Sequence, residues 1–307
     1  MRNAFVNELF EQARTDDKVF LLCGDVGYAV LEPFAKAYPD RFINCGVAEQ
    51  NMMLVASGLA MEGYNVFTYT IGNFATLRCM EQIRQDVCYH NLNVKIIAVG
   101  SGYAYGSLGV SHHMTEDIAM MRSLPNMLVC SPCDAVESRQ IAGIVSEHLG
   151  PAYVRINKTG ENKVHVDDVS LKKGRFIYLK HGKTTAVLST GAILGSVLDD
   201  MERLGTDWGL VSVPFISNLD EQGLKYIAKQ YQHIITVEEH QLNGGFGSAV
   251  LEKLNDMREA GMIDVFPSVS RIGIGNEFIS CAGSQQYLRR KAGLTLENVL
   301  VPMMKAA

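Results

Sequence analysis

Short apolar runs rich in β-branched residues alternate with longer stretches of helical periodicity along the whole chain, and this alternation restricts the fold more than any other feature. In the first half the runs are Val19–Cys23, Asn65–Thr70, Val94–Val99, Met127–Cys130 and Ala152–Ile156. Between them the periodicity predicts helices over Ala4–Thr15, Gln50–Met61, Thr76–Cys88, Glu116–Arg122 and Ala135–Leu149, the last with Asp134 as its N-cap. Runs without polar alternation suit strands buried on both faces, and strands separated by helices are joined by crossovers. The expected fold class is therefore α/β, with two three-layer αβα domains built on mostly parallel sheets. From Thr159 to Gly174 the periodicity lapses into a polar stretch containing Gly160-Glu161-Asn162-Lys163 and Asp167-Asp168. Dividing the chain there gives a first domain over residues 1–160, a linker over 161–174 and a second domain over 175–307. In the second domain strands are expected at Thr185–Thr190, Gly209–Val213, His233–Glu238 and Ser268–Ile274. Helices are expected there at Ala192–Leu204, Asp220–Tyr231 and Gly247–Ala260.

A chain of 307 residues can bury two such cores. Its net charge of -5 is mild and no Lys/Arg run appears, so nucleic acid is not an expected partner. Nor does any apolar stretch approach the roughly 20 residues that a membrane helix needs. The opening residues carry Glu8 early and lack a small-residue cleavage site, so no signal peptide is read and a cytoplasmic location is expected. Seven cysteines scattered through apolar segments suit reduced thiols. Cys130-Ser131-Pro132-Cys133 has redox or zinc spacing, but no second Cys or His pair accompanies it. It reads as coincidence, and no metal site is expected in this chain.

Glu49 stands at the head of a helix whose following positions, Met52, Met53, Val55, Ala56, Leu59, Ala60 and Met61, are apolar nearly all round. Its carboxylate should therefore be buried. Left unpaired it would have a raised pKa and could exchange a proton with a ring nitrogen. The alternative is a carboxylate drawn to the positive helix end. Phe74 follows a break in the strand pattern at Gly72-Asn73, which leaves its ring on a turn before the next helix.

Three ordered phrases carry a family resemblance: Gly46-Val47-Ala48-Glu49-Gln50-Asn51-Met52; Phe74-Ala75-Thr76 with Arg78 and Gln82-Ile83-Arg84; and Ser111-His112 with Glu116-Asp117-Ile118-Ala119. They resemble the pyrimidine-binding half of transketolase. Within that superfamily the chain is most similar to the separately encoded C-terminal subunit of split transketolases, and next to 1-deoxyxylulose-5-phosphate synthase. The similarity continues through Val237-Glu238-Glu239-His240 and the loop Gly244–Ser248. It implies a thiamine diphosphate pyrimidine-binding domain followed by a transketolase C-terminal-like domain. The cofactor would lie across an interface, its aminopyrimidine here and its diphosphate, with Mg2+ or Ca2+, in an N-terminal transketolase-like partner subunit of an α2β2 assembly.

By the same resemblance Glu49 hydrogen-bonds the pyrimidine N1′, which lets the cofactor remove its own thiazolium C2 proton. Phe74 stacks on the ring, and Tyr69 and Ile71 line its pocket. His112 handles substrate protons with His113 as a polar neighbour, and Asp25 faces the site from a strand end. Arg155 anchors a substrate phosphate or else makes an interdomain ion pair. Arg78 and Arg84 receive no catalytic role. The implied reaction moves a two-carbon ketol unit from a ketose phosphate to an aldose acceptor. A decarboxylating subunit, of the deoxyxylulose phosphate synthase or 2-oxo acid dehydrogenase β type, and a non-catalytic regulatory subunit are the alternatives.

Two departures bear on the substrate. Ser107-Leu108-Gly109 stands where transketolases carry an acidic Glu-Asp-Gly, and Gly100-Ser101-Gly102 replaces an upstream substrate His. Both remove polar contacts to a sugar chain, so an unusual ketose, a deoxysugar or a 2-oxo acid is expected as donor. Gly24-Asp25-Val26 with Asn51 imitates the family's diphosphate motif only loosely, because Val26 replaces a glycine and Asn51 belongs to the Glu49 helix. The chain alone should bind the cofactor poorly. The Gly244–Ser248 loop reads as a tight turn, with a regulatory anion site as its alternative.

Overall fold

The computed structural model describes residues 1–299; residues 300–307 of the expected second domain lie outside the described residues. Strands β1 (Val19–Cys23), β2 (Phe42–Asn44), β3 (Asn65–Ile71), β4 (Val94–Val99), β5 (Leu128–Cys130) and β6 (Ala152–Ile156) form one sheet in the order β2-β1-β3-β4-β6-β5. Every pairing in it is parallel. Strands β7 (Ile177–Lys180), β8 (Thr185–Ser189), β9 (Gly209–Ser212), β10 (His233–Gln241) and β11 (Ser268–Ile274) form a second sheet in the order β11-β10-β8-β9-β7. That sheet is parallel except for the antiparallel edge strand β7. Helices cover both sheets, as the alternation of the sequence requires.

Most of the strands read from apolar runs are buried, while the edge strand β11, also read from the sequence, is largely half-buried. β1, β4, β6 and β8 are buried along their whole length. Sequence reading omitted β2 and β7, which lie at sheet edges and are half-buried to exposed, so they need no continuous apolar run. It also omitted the short helices Glu32–Ala37 and Gln285–Lys291. One expected helix is corrected. Instead of running from Thr76 to Cys88, the segment divides into a one-turn helix Gly72–Ala75, a 3-10 turn Leu77–Cys79, a helical turn Met80–Gln82 and a π-helical stretch Ile83–Cys88. The break falls at Thr76 (φ -108°, ψ -81°), whose backbone N–H and hydroxyl both donate to the Gly72 carbonyl, at 3.0 and 2.8 Å, a side-chain back-bond of the kind that bends helices.

The carboxyl ends of the first sheet collect the loops that matter. β1 runs into Gly24-Asp25, β2 into the turn before helix Glu49–Met61, β3 into Gly72–Ala75 and β4 into the loop that reaches His112. In open α/β sheets this edge is where ligands bind.

One buried carboxylate ties the first domain, the linker and the second domain together. Glu137 Oε1 accepts from Ser212 Oγ at 2.7 Å and stands 3.0 Å from His165 Nε2, while Oε2 accepts from the backbone N–H of Cys133 at 2.7 Å. The C-x-x-C thus does not act as a pair. Cys133 meets His165 (Sγ···Nε2 3.7 Å), a partner the sequence reading missed because it lies 32 residues further on. Burial pulls the His165 pKa down, but the Glu137 carboxylate outweighs it and holds the imidazole above its ordinary value. A raised folded-state pKa means that the His165 contribution is fully present below about pH 6.5 and is lost as pH rises through the folded-state value. Urea midpoints of the protein and of His165→Asn should therefore differ most at low pH and converge at high pH. A difference independent of pH would show that the pair carries no titration-linked stability.

Candidate active site

Glu49 owes its place to β2. After Asn44 the chain turns at Gly46 (φ 69°), and Asn44 Oδ1 accepts from the N–H groups of Asp25 and Gly46 at 3.1 and 3.0 Å. Asn44 Nδ2 donates to Asp25 Oδ1 at 3.0 Å, which holds the exposed Asp25, itself at φ 54°, beside the turn. Helix Glu49–Met61 begins at once, and the Glu49 side chain is 2 % exposed. Gly24 leaves room for it, since a Cβ there would stand 3.0 Å from Thr70 Oγ1 and 3.5 Å from Glu49 Cγ. Thr70 Oγ1 is buried without a hydrogen-bond partner among the described residues, so the space beside Glu49 holds an unsatisfied polar atom.

The expectation of an unpaired carboxylate is corrected. Arg78 Nη1 donates to Glu49 Oε2 at 2.7 Å, and the same guanidinium lies 4.6 Å from the centroid of the Phe74 ring. Arg78 makes this reach from the 3-10 turn that follows the break at Thr76, 29 positions from Glu49, a separation over which local sequence pattern carries no signal. Burial, and after it the Glu49 charge, push the neighbouring Cys79 thiol up to about 12.

Phe74 is half-buried, and its ring meets the His112 ring at 5.3 Å with an interplanar angle of 70°. Ser111 Oγ lies 3.0 Å from His112 Nδ1. Tyr105 approaches the same imidazole at 6.0 Å, with Lys158 Nζ 4.8 Å from the tyrosine centroid. His113 is buried under the edge of Tyr103, ring to ring 5.0 Å, and its Nε2 has no partner among the described residues. Burial lowers the pKa of both histidines, so each favours the neutral form that can accept a proton. Beside them a cavity of about 390 Å³ is lined by Phe74, Arg78, Val110, His113, Glu116 and Phe278, among others. Burial raises the Glu116 pKa. In the sequence Glu116 stands within a quoted motif but carries no expected role.

The structure brings Glu49, Arg78, Phe74 and His112 into one continuous row and sets Asp25 at the neighbouring strand end. Tyr69 and Ile71 stand apart from the cavity lining. Tyr69 packs in the core with Cys23, Val30 and Leu31, where burial raises its pKa, and Ile71 is half-buried at the end of β3. Arg155 requires a correction. It is 2 % exposed, Nε donates to Asp117 Oδ2 at 2.8 Å, and Nη2 donates to the carbonyls of Met114 and Glu239 at 2.8 and 2.9 Å. Its donors are turned inward, so it stands as a structural pin and not as an open phosphate anchor. The ion pair lies within the first domain, and among the described residues the hydrogen bond to the Glu239 carbonyl carries it to the second.

The second-domain turn is also filled from within. Both oxygens of the buried Glu238 accept from the start of helix Phe246–Glu259, from Phe246 N at 2.6 Å and Gly247 N at 2.8 Å. An external anion has no place at that helix end.

Comparison with known proteins gives two family matches: "Transketolase, pyrimidine binding domain" over residues 1–160 and "Transketolase, C-terminal domain" over residues 174–299. The chain is similar to an apulose-4-phosphate transketolase subunit of Actinobacillus succinogenes, at 32% identity over 92% of this chain and 90% of that protein. It is also similar to the 6-deoxy-6-sulfo-D-fructose transketolase subunit SqwH of a Clostridium species, at 29% identity over 98% and 92%. Among solved structures, one described as "Split gene transketolase, inactive beta4 tetramer" superposes with a TM-score of 0.86 at 35% identity, covering 99% of this chain and 97% of that one.

Proposed function

Because the chain belongs to the transketolase family, we propose that it is the C-terminal, pyrimidine-binding subunit of a split transketolase, which works with a separate N-terminal-type subunit. The observation that carries this reading is the pair of contacts made by Arg78. A planar, nitrogen-bearing group hydrogen-bonded to Glu49 and lying on the Phe74 face makes the two contacts expected of an aminopyrimidine. Residues that hold a guanidinium so can hold that ring once Arg78 turns outward, and its side chain is already 45% exposed. When bound, thiamine diphosphate supplies the carbon nucleophile for transfer of the two-carbon unit. Glu49 would hold a proton at the pyrimidine nitrogen, and Phe74 would fix the ring plane. His112, neutral and beside Phe74, would take a proton from a substrate hydroxyl and return it. The divalent cation and the diphosphate would be held by the partner in an α2β2 assembly.

The two relatives have unlike sugars in their names, apulose 4-phosphate and 6-deoxy-6-sulfo-D-fructose. That supports an unusual ketose as donor here, in line with Leu108 and Gly100 at positions where transketolases have polar contacts. Among the described residues no helix is long and apolar enough to cross a membrane.

Calorimetric titration of thiamine diphosphate and Mg2+ into the chain, with and without the N-terminal-type subunit, tests the proposal. Tight binding only in the mixture, followed by turnover of a ketose phosphate, is the expected result. Tight binding to the chain alone would overturn the split site. Carbon dioxide release from pyruvate without ketol transfer would replace the reaction by a decarboxylation.

A further inference from the structure

The end of β10 is where the second domain reaches the site. Glu239 is 2 % exposed, and its Oε1 accepts from the backbone N–H of Tyr103 at 3.0 Å. Oε2 accepts from Arg289 Nη2 at 2.6 Å, and Gln285 Nε2 lies 3.2 and 3.1 Å from the two oxygens. A buried carboxylate needs such partners, yet one of them here belongs to the loop after β4 in the other domain. The approach is close enough to require a glycine: Gly102 has φ +58°, and a Cβ on it would stand 2.3 Å from Glu239 Cδ.

That loop seats both histidines of the candidate active site. Gly102 exchanges backbone hydrogen bonds with Met114 at 3.1 and 2.9 Å, pinning the residue that follows His112-His113. Tyr103 covers His113 and Tyr105 faces His112. Gly100 allows this, because a Cβ there would stand 2.3 Å from Tyr105 Cδ2. The residues around Glu239 hold the same segment from behind. Its carbonyl shares Arg155 with the Met114 carbonyl, and Gln241 N donates to Thr115 O at 2.8 Å.

We infer that Glu239, braced by Arg289 and Gln285, is a positioning residue supplied by the second domain. It fixes the loop Gly100–Tyr105 and through it the orientation of His112 and His113. The catalytic consequence rests on the transferase reading; the effect on the two imidazoles does not. A carboxylate that holds one N–H of a glycine-rich loop removes most of the loop's freedom, and small displacements of a proton-transfer group are costly to rate.

Two readouts test this. In the enzyme reconstituted with its partner, Glu239→Ala is expected to lower kcat about tenfold while the cofactor affinity stays within about twofold, since Glu49 and Phe74 are untouched. Glu239→Gln keeps an acceptor for Tyr103 N and should recover most of the rate. In the chain alone, proton NMR titration should show the His113 pKa rising toward its ordinary value in Glu239→Ala, as Tyr103 lifts and water enters. If that variant does not fold, Arg289→Met, which leaves the Glu239–Tyr103 bond but removes its brace, should move both readouts in the same direction by less. A folded variant with unaltered kcat and histidine titrations would overturn the inference. Shifted titrations in a protein that shows no transferase activity with any partner would uphold the positioning and refute the transferase reading.

Discussion

Glu49→Gln, assayed with the N-terminal-type subunit, is expected to lose about a thousandfold in kcat, the scale of a removed proton-transfer group. The side chain is 2 % exposed and sits at the first residue of its helix, so the substitution changes little in volume or packing. Glutamine still offers Arg78 an acceptor at the position of Oε2, so the variant should keep its circular dichroism spectrum and melt within about 2 °C of the parent, as a near-isosteric change predicts. What it loses is negative charge and the capacity to hold a proton at a ring nitrogen. Normal turnover of the folded variant with its partner would remove Glu49 from the chemistry. It would leave the carboxylate as a structural counter-ion for Arg78.

The second large effect is on stability. Arg155 and Asp117 are 2 % and 1 % exposed, so substituting one leaves the other buried with its charge uncompensated. Burial works against the Arg155 charge, but the Asp117 carboxylate more than offsets it and holds the guanidinium protonated. In Arg155→Met, Asp117 keeps only the Tyr153 hydroxyl at 2.7 Å, and the Met114 and Glu239 carbonyls lose their shared donor. The expected cost is about 3–5 kcal/mol, read from urea unfolding. The double variant Asp117→Leu/Arg155→Met should recover much of that loss, because removing both charges removes the uncompensated one. A single variant within about 1 kcal/mol of the parent would show that the seam relaxes and admits water. That result would reopen Arg155 as a candidate phosphate ligand.

The legible part of the site was the part carried by contiguous phrases. Glu49 at the head of an apolar helix, Phe74 after the Gly72-Asn73 break and the His112-His113 pair are each local, and the structure sets Glu49, Phe74 and His112 in one row. Arg78 was harder to read. Its role depends on the chain breaking at Thr76 in a segment whose periodicity ran through to Cys88, and on the fold bringing Glu49, 29 positions away, within reach of the turn that follows, which pattern does not reveal. Arg155 failed in the other direction. A strand-end arginine suits an anion, and only the positions of Asp117, Met114 and Glu239 show that its donors are engaged inside the protein.

By itself, then, the sequence determined two α/β domains, the positions of their buried strands along the chain and the helix that carries Glu49. These follow from apolar runs and periodicity, which act over neighbouring residues. Tertiary structure alone decided which donor meets each buried carboxylate. Glu49 with Arg78 spans 29 positions, Glu137 with His165 spans 28, and Glu239 with Tyr103 spans 136. Burial makes an unpaired charge expensive, so each of these carboxylates must be met, but the partner that meets it is chosen by where the folded chain brings a donor.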